Sequence, residues 1–229
     1  ANSPIYDGKV TGFQSYRSHI WTRVDPDRCG FQRFIFDTDA SFSDYTDWAL
    51  NVPMFFIERD EQLVEIAGKW TFADLMDGRV SGCEATMEDW KLHLSTLFPE
   101  ARPRPHLEVR SSDVVPPEAI VSCPALWKGV IYDDDCALAA WDLVKRFTFT
   151  ERLELAAAVS REAIHARPPQ GAGKIADLCR ELLEISGIGL ARQAALGLGE
   201  AKDIEFLEPL HRIVSQGKTY ADLALEALK

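Results

Sequence analysis

Residues 102–113, RPRPHLEVRSSD, set an acid between two groups that can carry positive charge. Read as a strand, this stretch puts His106, Glu108 and Arg110 on one face and Leu107 and Val109 on the other, because side chains alternate along an extended backbone. Pro103 and Pro105 cannot donate to a ladder, so the pattern predicts a strand that begins at His106. Two readings stay open. One is a sheet surface with a cross-charged ladder. The other is a site where Glu108 holds a divalent cation and Arg110 reaches the phosphate oxygens that the cation neutralises. Hard cations take oxygen ligands, and a guanidinium fork suits phosphate.

A second dense stretch, GKVTGFQSYRSHIWTRVDPDR, has turns predicted at Gly8 and Gly12. If residues 15–21 are extended, Ser15, Arg17, His19 and Trp21 share a face that is either a ligand wall or a sheet surface. Other motifs carry less. His93 sits within a helical stripe and reads as a helix-surface or packing histidine rather than a metal ligand. Gly171-Ala-Gly-Lys174 lacks the glycine spacing and the hydroxyl residue of a phosphate loop and reads as a plain loop.

The elements that must hold these residues follow from local signals. Residues 33–37 read as a short strand, and residues 53–59 and 63–68 as a hairpin. Capping boxes at Ser41/Asp44, Thr71/Asp74, Thr86/Asp89, Thr148/Glu151 and Thr219/Asp222 predict helix starts. A helix is expected over 87–98. Another, kinked at Pro124, is expected over 116–132, and one with Ile175, Leu178, Leu182 and Ile185 on its stripe should end at Gly187–Gly189. Strands early and helices late argue an α+β chain with an antiparallel sheet, strand-rich over 1–113 and helical over 114–229.

Composition narrows the function. The 229 residues, 46% hydrophobic and 10% aromatic, suffice for one domain or a large part of one. A net charge of −11 argues against a nucleic-acid partner held by phosphate contacts. No apolar run approaches the roughly 20 residues of a membrane span, and neither end reads as a signal peptide. Five cysteines without a CxxC pair predict a reduced, cytoplasmic protein.

Residues 96–113, TLFPEARPRPHLEVRSSD, resemble the signature of the glutamate–cysteine ligase family in its plant-type branch, where Leu-Glu-(Val/Met)-Arg follows Phe-Pro-Glu. The opening ANSP, GK and RSHIW segments resemble the start of the second half of such enzymes. RSHIW favours this branch over the actinobacterial one. Residues 52–56 resemble its Val-Pro-Met-aromatic-Phe segment, and PALWKG its Pro-Ala-Phe-Trp-(Val)-Gly run.

This resemblance implies a glutamine-synthetase-like funnel and ATP-dependent joining of the glutamate γ-carboxylate to cysteine through a γ-glutamyl phosphate, the first step of glutathione biosynthesis. It implies that Arg17 binds a substrate glutamate carboxylate and that Phe55 and Trp127 lie towards the substrates. Glu108 would be a Mg2+ ligand, and Arg110 a catalytic, nucleotide-binding phosphate contact. It further implies that an N-terminal half, with several metal carboxylates, belongs before Ala1 and that the chain alone is inactive. Two departures matter. Phe55 stands where the plant enzymes have tyrosine, and one position of their regulatory cysteine pair falls at Ile66, leaving only Cys83 nearby. The alternatives are a related carboxylate–amine ligase with another acceptor, or a non-catalytic half that needs a partner chain.

Overall fold

The computed structural model describes residues 1–66, 70–171 and 173–228. The chain opens with β1 (Ile5–Tyr6) and β2 (Lys9–Val10), paired antiparallel. Their turn uses Asp7 at φ 49° and Gly8 at φ 69°, the left-handed pair that a type I′ turn requires. Residues 15–21 are not extended as expected but form α1 (Tyr16–Trp21). The Ser15 hydroxyl accepts from the Ser18 N–H at 3.2 Å, meeting a donor that the first helical turn leaves open. Alternation therefore does not apply here, and Ser15, Arg17, His19 and Trp21 do not share one face.

β3 (Cys29–Gly30) comes next, and the strand expected over 33–37 is instead a 3-10 turn, Arg33–Phe36. α2 (Phe42–Asn51) starts at the predicted capping box, with Ser41 N–H donating to the Asp44 carboxylate at 2.8 Å. β4 (Phe56–Arg59) and β5 (Gln62–Glu65) make the predicted hairpin, turning at Asp60 and Glu61. The end of its second run, residues 67–68, lies outside the described residues. Capping boxes open α3 (Phe72–Met76) and α4 (Met87–Ser95) as predicted. α4 stops short of Phe98 because β6 (Phe98–Pro99) pairs parallel with β3. β7 (Ala101–Pro103) and β8 (Leu107–Val109) complete the strands.

The rest is helical. A 3-10 turn, Pro117–Ala119, precedes α5 (Ser122–Ile131). Pro124 falls in the first turn of α5, where no intrahelical partner is required of its nitrogen, so it does not kink a longer helix. α6 (Asp134–Val144), α7 (Phe149–Glu162), α8 (Ile175–Ala195), α9 (Glu208–Gln216) and α10 (Tyr220–Glu226) follow. The predicted loop at 171–174 precedes α8, with Ala172 outside the described residues.

Mixed strand and helix content fits the α+β expectation. Among the described residues the strands form four two-stranded pieces, three antiparallel and one parallel. The chain divides into two units: Trp21–Ser111, and Ala1–Ile20 together with Ser112–Lys229. In the first, Met54, Ile57, Ile66, Phe72 and Leu75 form one apolar cluster, and Ala49, Val52 and Leu97 another. In the second, Ala125, Leu183, Leu190, Leu207 and Val214 form the core.

α8 does not end at Gly187–Gly189 but runs through both glycines to Ala195. Gly189 sits where α5 crosses α8, and Gly187 faces the Ile204 side chain. A β-carbon on Gly189 would collide with the Gly129 carbonyl, and one on Gly129 with the Ser186 carbonyl. The Ser186 hydroxyl donates to Leu126 O and the Gln193 amide to Lys128 O, each at 3.0 Å. Gly129 and Gly189 serve close approach, and neither Gly187 nor Gly189 terminates the helix.

Candidate functional site

The hairpin of β7 and β8 sets Arg102 directly opposite Glu108 and Pro103 opposite Leu107. β8 begins one residue after His106, close to the expected start, whereas its partner β7, which includes Pro103, has no counterpart among the expected strands. Bonds from Arg110 N to Glu100 O (2.9 Å) and Arg104 N to His106 O (2.8 Å) bracket the register. They put Pro103 in a non-hydrogen-bonded pair, where its missing N–H costs nothing. His106 is exposed in the connection, and Leu107, expected to bury, is 53% exposed.

Glu108 is held from both sides. Arg102, almost wholly buried, donates to Glu108 Oε2 from Nε at 2.8 Å and Nη2 at 2.6 Å, and to Leu97 O from Nη1 at 3.1 Å. Arg110 Nη1 donates to Glu108 Oε1 at 2.7 Å. The Arg102 hydrogen bonds, outweighing partial desolvation, hold the Glu108 carboxyl below its usual value, with the Arg102 and Arg110 charges adding to the effect. It is ionised at neutral pH. The Arg110 guanidinium also lies 5.3 Å from the Phe98 ring centre and 5.6 Å from that of Trp21. A carboxylate and two aromatic faces thus orient an arginine, an arrangement suited to presenting a fork to an anion.

Arg102 was missed by sequence reasoning. Its signal was present, since residues 102 and 108 face each other once Arg104-Pro105-His106 is read as a hairpin connection.

Phe55 lies just before β4. Its ring covers the Arg28 guanidinium, 3.4 Å from carbon to ring centre, while remaining 43% exposed. Of the two readings of His93, the packed one holds: Nε2 lies 2.8 Å from Ala49 O, and the ring stacks on Phe72. Burial pushes its pKa down, with the Arg28 charge adding to this and the Ala49 contact opposing it.

Arg17 and Trp127 belong to the other unit. Arg17 N–H donates to Ser3 Oγ at 3.1 Å. Asp113 ties this region together, accepting from Asn2 N at 2.7 Å, Ser3 Oγ at 3.1 Å and Ser15 Oγ at 2.8 Å. The final aspartate of one motif thereby anchors the helix that carries the other. Trp127 is half-buried in α5. Of the five residues singled out from sequence, Glu108 and Arg110 touch each other.

No group of three or more His, Cys, Asp or Glu among the described residues could hold a metal ion. Glu108 is a single carboxylate with both oxygens engaged by guanidinium groups. By itself it does not fit Mg2+, which wants several oxygen ligands in near-octahedral array.

Residues 1–227 match the model of the Glutamate-cysteine ligase family 2 (GCS2). Similar curated proteins include glutamate–cysteine ligase A, chloroplastic, of Oryza sativa subsp. indica, 36% identical over 98% of this chain and 44% of that protein. The chloroplastic glutamate–cysteine ligases of Medicago truncatula and Arabidopsis thaliana are each 36% identical over 99% of this chain, covering 43% and 42% of their lengths. The chain belongs to glutamate–cysteine ligase family 2. It spans somewhat under half the length of these relatives. The cytoplasmic expectation is overturned, because these relatives are named as chloroplastic; reduced cysteines alone do not distinguish compartments of similar redox poise. Among the described residues no helix is long and apolar enough to cross a membrane.

Proposed function

We propose that this chain is the C-terminal part of the catalytic domain of an ATP-dependent glutamate–cysteine ligase, contributing to a glutamine-synthetase-like funnel. Similarity along nearly its whole length to proteins named for that activity carries the reading. In the proposed reaction, a glutamate γ-carboxylate oxygen attacks the γ-phosphorus of ATP, and ADP leaves. The cysteine amine then attacks the acyl carbon, expelling phosphate and losing a proton.

Arg17 grips a glutamate carboxylate, for which a bidentate guanidinium is the fitting donor. Arg110, oriented by Glu108, Phe98 and Trp21, meets phosphate oxygens as charge develops. Phe55 faces the amine acceptor, and Trp127 lies towards the substrates. Glu108 alone does not fit Mg2+; only together with carboxylates outside this chain would its ionised carboxylate help hold the ion, whose chemistry would be to neutralise phosphate charge. The glutathione pathway is the setting this reading implies.

Glu108→Gln in the whole protein tests it. Activity should fall tenfold or more, in the range seen when groups around a metal or its ligands are removed. Raising Mg2+ should recover part of the loss if Glu108 is a ligand. Loss that Mg2+ does not relieve would leave Glu108 as the residue that orients Arg110, and wild-type turnover at limiting Mg2+ would refute both roles.

A further inference from the structure

Arg28 is an unusual residue to find in a core. It is 3% exposed, yet each of its three nitrogens donates a hydrogen bond: Nε to Asp25 Oδ2 at 2.7 Å, Nη1 to Thr96 Oγ1 at 3.1 Å and Nη2 to Pro53 O at 2.7 Å. Thr96 Oγ in turn donates to His93 O at 2.7 Å, so the C-terminal end of α4 fixes one side of the fork. The Pro53 carbonyl belongs to the segment that carries Phe55. The N–H bonds of a guanidinium point in its plane, so donating them leaves its faces for stacking. The Phe55 ring covers one of them at 3.4 Å.

A buried charge held by three hydrogen bonds is costly to move, because each bond lost leaves a polar group stranded away from water. The backbone restrains Phe55 as well, since Phe55 O accepts from Ile66 N at 3.1 Å and the neighbouring Met54 N donates to Trp70 O at 2.8 Å. One face of the ring is therefore pinned from beneath while much of the ring remains open.

We infer that Arg28 is the positioning residue for the amine-acceptor site: it holds Phe55 as a fixed aromatic shelf against which the acceptor's thiol-bearing side chain rests. Thiols pack favourably against aromatic rings, and a shelf whose position is set in advance spares the acceptor the cost of ordering it. The inference rests on the proposed placement of Phe55 beside the acceptor. It adds that the shelf depends on a residue that does not touch substrate, and that the hydroxyl of a tyrosine is not required for it.

Steady-state kinetics of Phe55→Leu, Phe55→Tyr, Arg28→Met and the Arg28→Met/Phe55→Leu double variant, in the whole protein, test this. Phe55→Leu and Arg28→Met should each raise the KM for cysteine about three- to tenfold, the range of a desolvated cation–π contact. The kcat and the KM values for glutamate and ATP should stay within about twofold. Phe55→Tyr, which keeps the ring, should retain the wild-type cysteine KM, and the double variant should be no worse than the poorer single. Unchanged cysteine KM in Phe55→Leu would refute the acceptor-site reading itself. A raised KM in Phe55→Leu, with Arg28→Met fully additive to it or equally damaging to all three substrates, would refute the role of Arg28 alone. If Arg28→Met does not fold, Thr96→Val removes one acceptor from the fork. It should raise the cysteine KM about twofold through the same contact, and an unchanged value would overturn the inference.

Discussion

Arg102 and Glu108 face each other across the β7–β8 hairpin, with Arg102 Nη2 donating to Glu108 Oε2 at 2.6 Å and the arginine side chain 8% exposed. The pair is asymmetric. Burial makes Arg102 dependent on its acceptor, whereas Glu108 also has Arg110. Arg102→Gln should therefore lower stability by about 1–3 kcal/mol at pH 7, because the Leu97 carbonyl and Glu108 lose charged donors. The folded Glu108 carboxyl sits below its reference value of 4.5, so this contribution is present above that pH and fades as pH falls through the folded value. Urea midpoints at pH 7 and pH 3 should show a penalty that shrinks in acid; an equal penalty at both would assign the loss to packing.

Arg17→Lys should raise the KM for glutamate about tenfold and leave that for ATP nearly unchanged. Lysine keeps the charge but loses the planar fork that takes a carboxylate with two hydrogen bonds. Kinetics with each substrate varied separately give the answer, and a defect confined to ATP would move Arg17 to the phosphate site.

Gly189→Ala and Gly187→Ala should behave oppositely although they lie two residues apart. A β-carbon at Gly189 meets the Gly129 carbonyl, so the helices must separate, at a cost of about 1–3 kcal/mol or more. At Gly187 it meets only the Ile204 side chain, no nearer than 3.4 Å, and the helix gains from losing a glycine, by up to about 1 kcal/mol. Thermal unfolding of the two variants should move the midpoint down and up respectively. Equal loss in both would show that helix propensity and packing have been weighed wrongly.

Acid should weaken the Trp21–Ser111 unit before its carboxylates titrate. The buried His93 has its pKa pushed below the 6.5 of a free histidine. The unfolded chain thus binds the proton more readily, and stability is lost as pH falls from about 6.5 towards the depressed value. His93 Nδ1 is buried without a hydrogen-bond partner among the described residues, while Nε2 meets Ala49 O. His93→Gln retains an N–H for Ala49 and cannot titrate. Its melting temperature should be flatter between pH 5 and 7, readable by circular dichroism, and a slope as steep as wild type would place the acid sensitivity elsewhere.

What could be read from the sequence was local. The capping boxes at Ser41, Thr71, Thr86, Thr148 and Thr219 all form, because each needs only a hydroxyl and a carboxylate three residues apart. The hairpin of β4 and β5 formed for a similar reason, and the motif segments were enough to indicate the family. Misread stretches were those where a short pattern has two solutions. Residues 15–21 alternate as a strand would, yet the Ser15 hydroxyl caps a helix and its carboxylate partner, Asp113, is nearly a hundred residues away. Gly187 and Gly189 look like a helix end until α5 arrives to fill the space that Gly189 leaves. Arg102 beneath Glu108, and Arg28 beneath Phe55, appear only once strands pair and loops close over them. A lone arginine in a sequence reads as a solvated charge; tertiary structure removes the water and supplies the acceptors, and only then does the same side chain orient its neighbours.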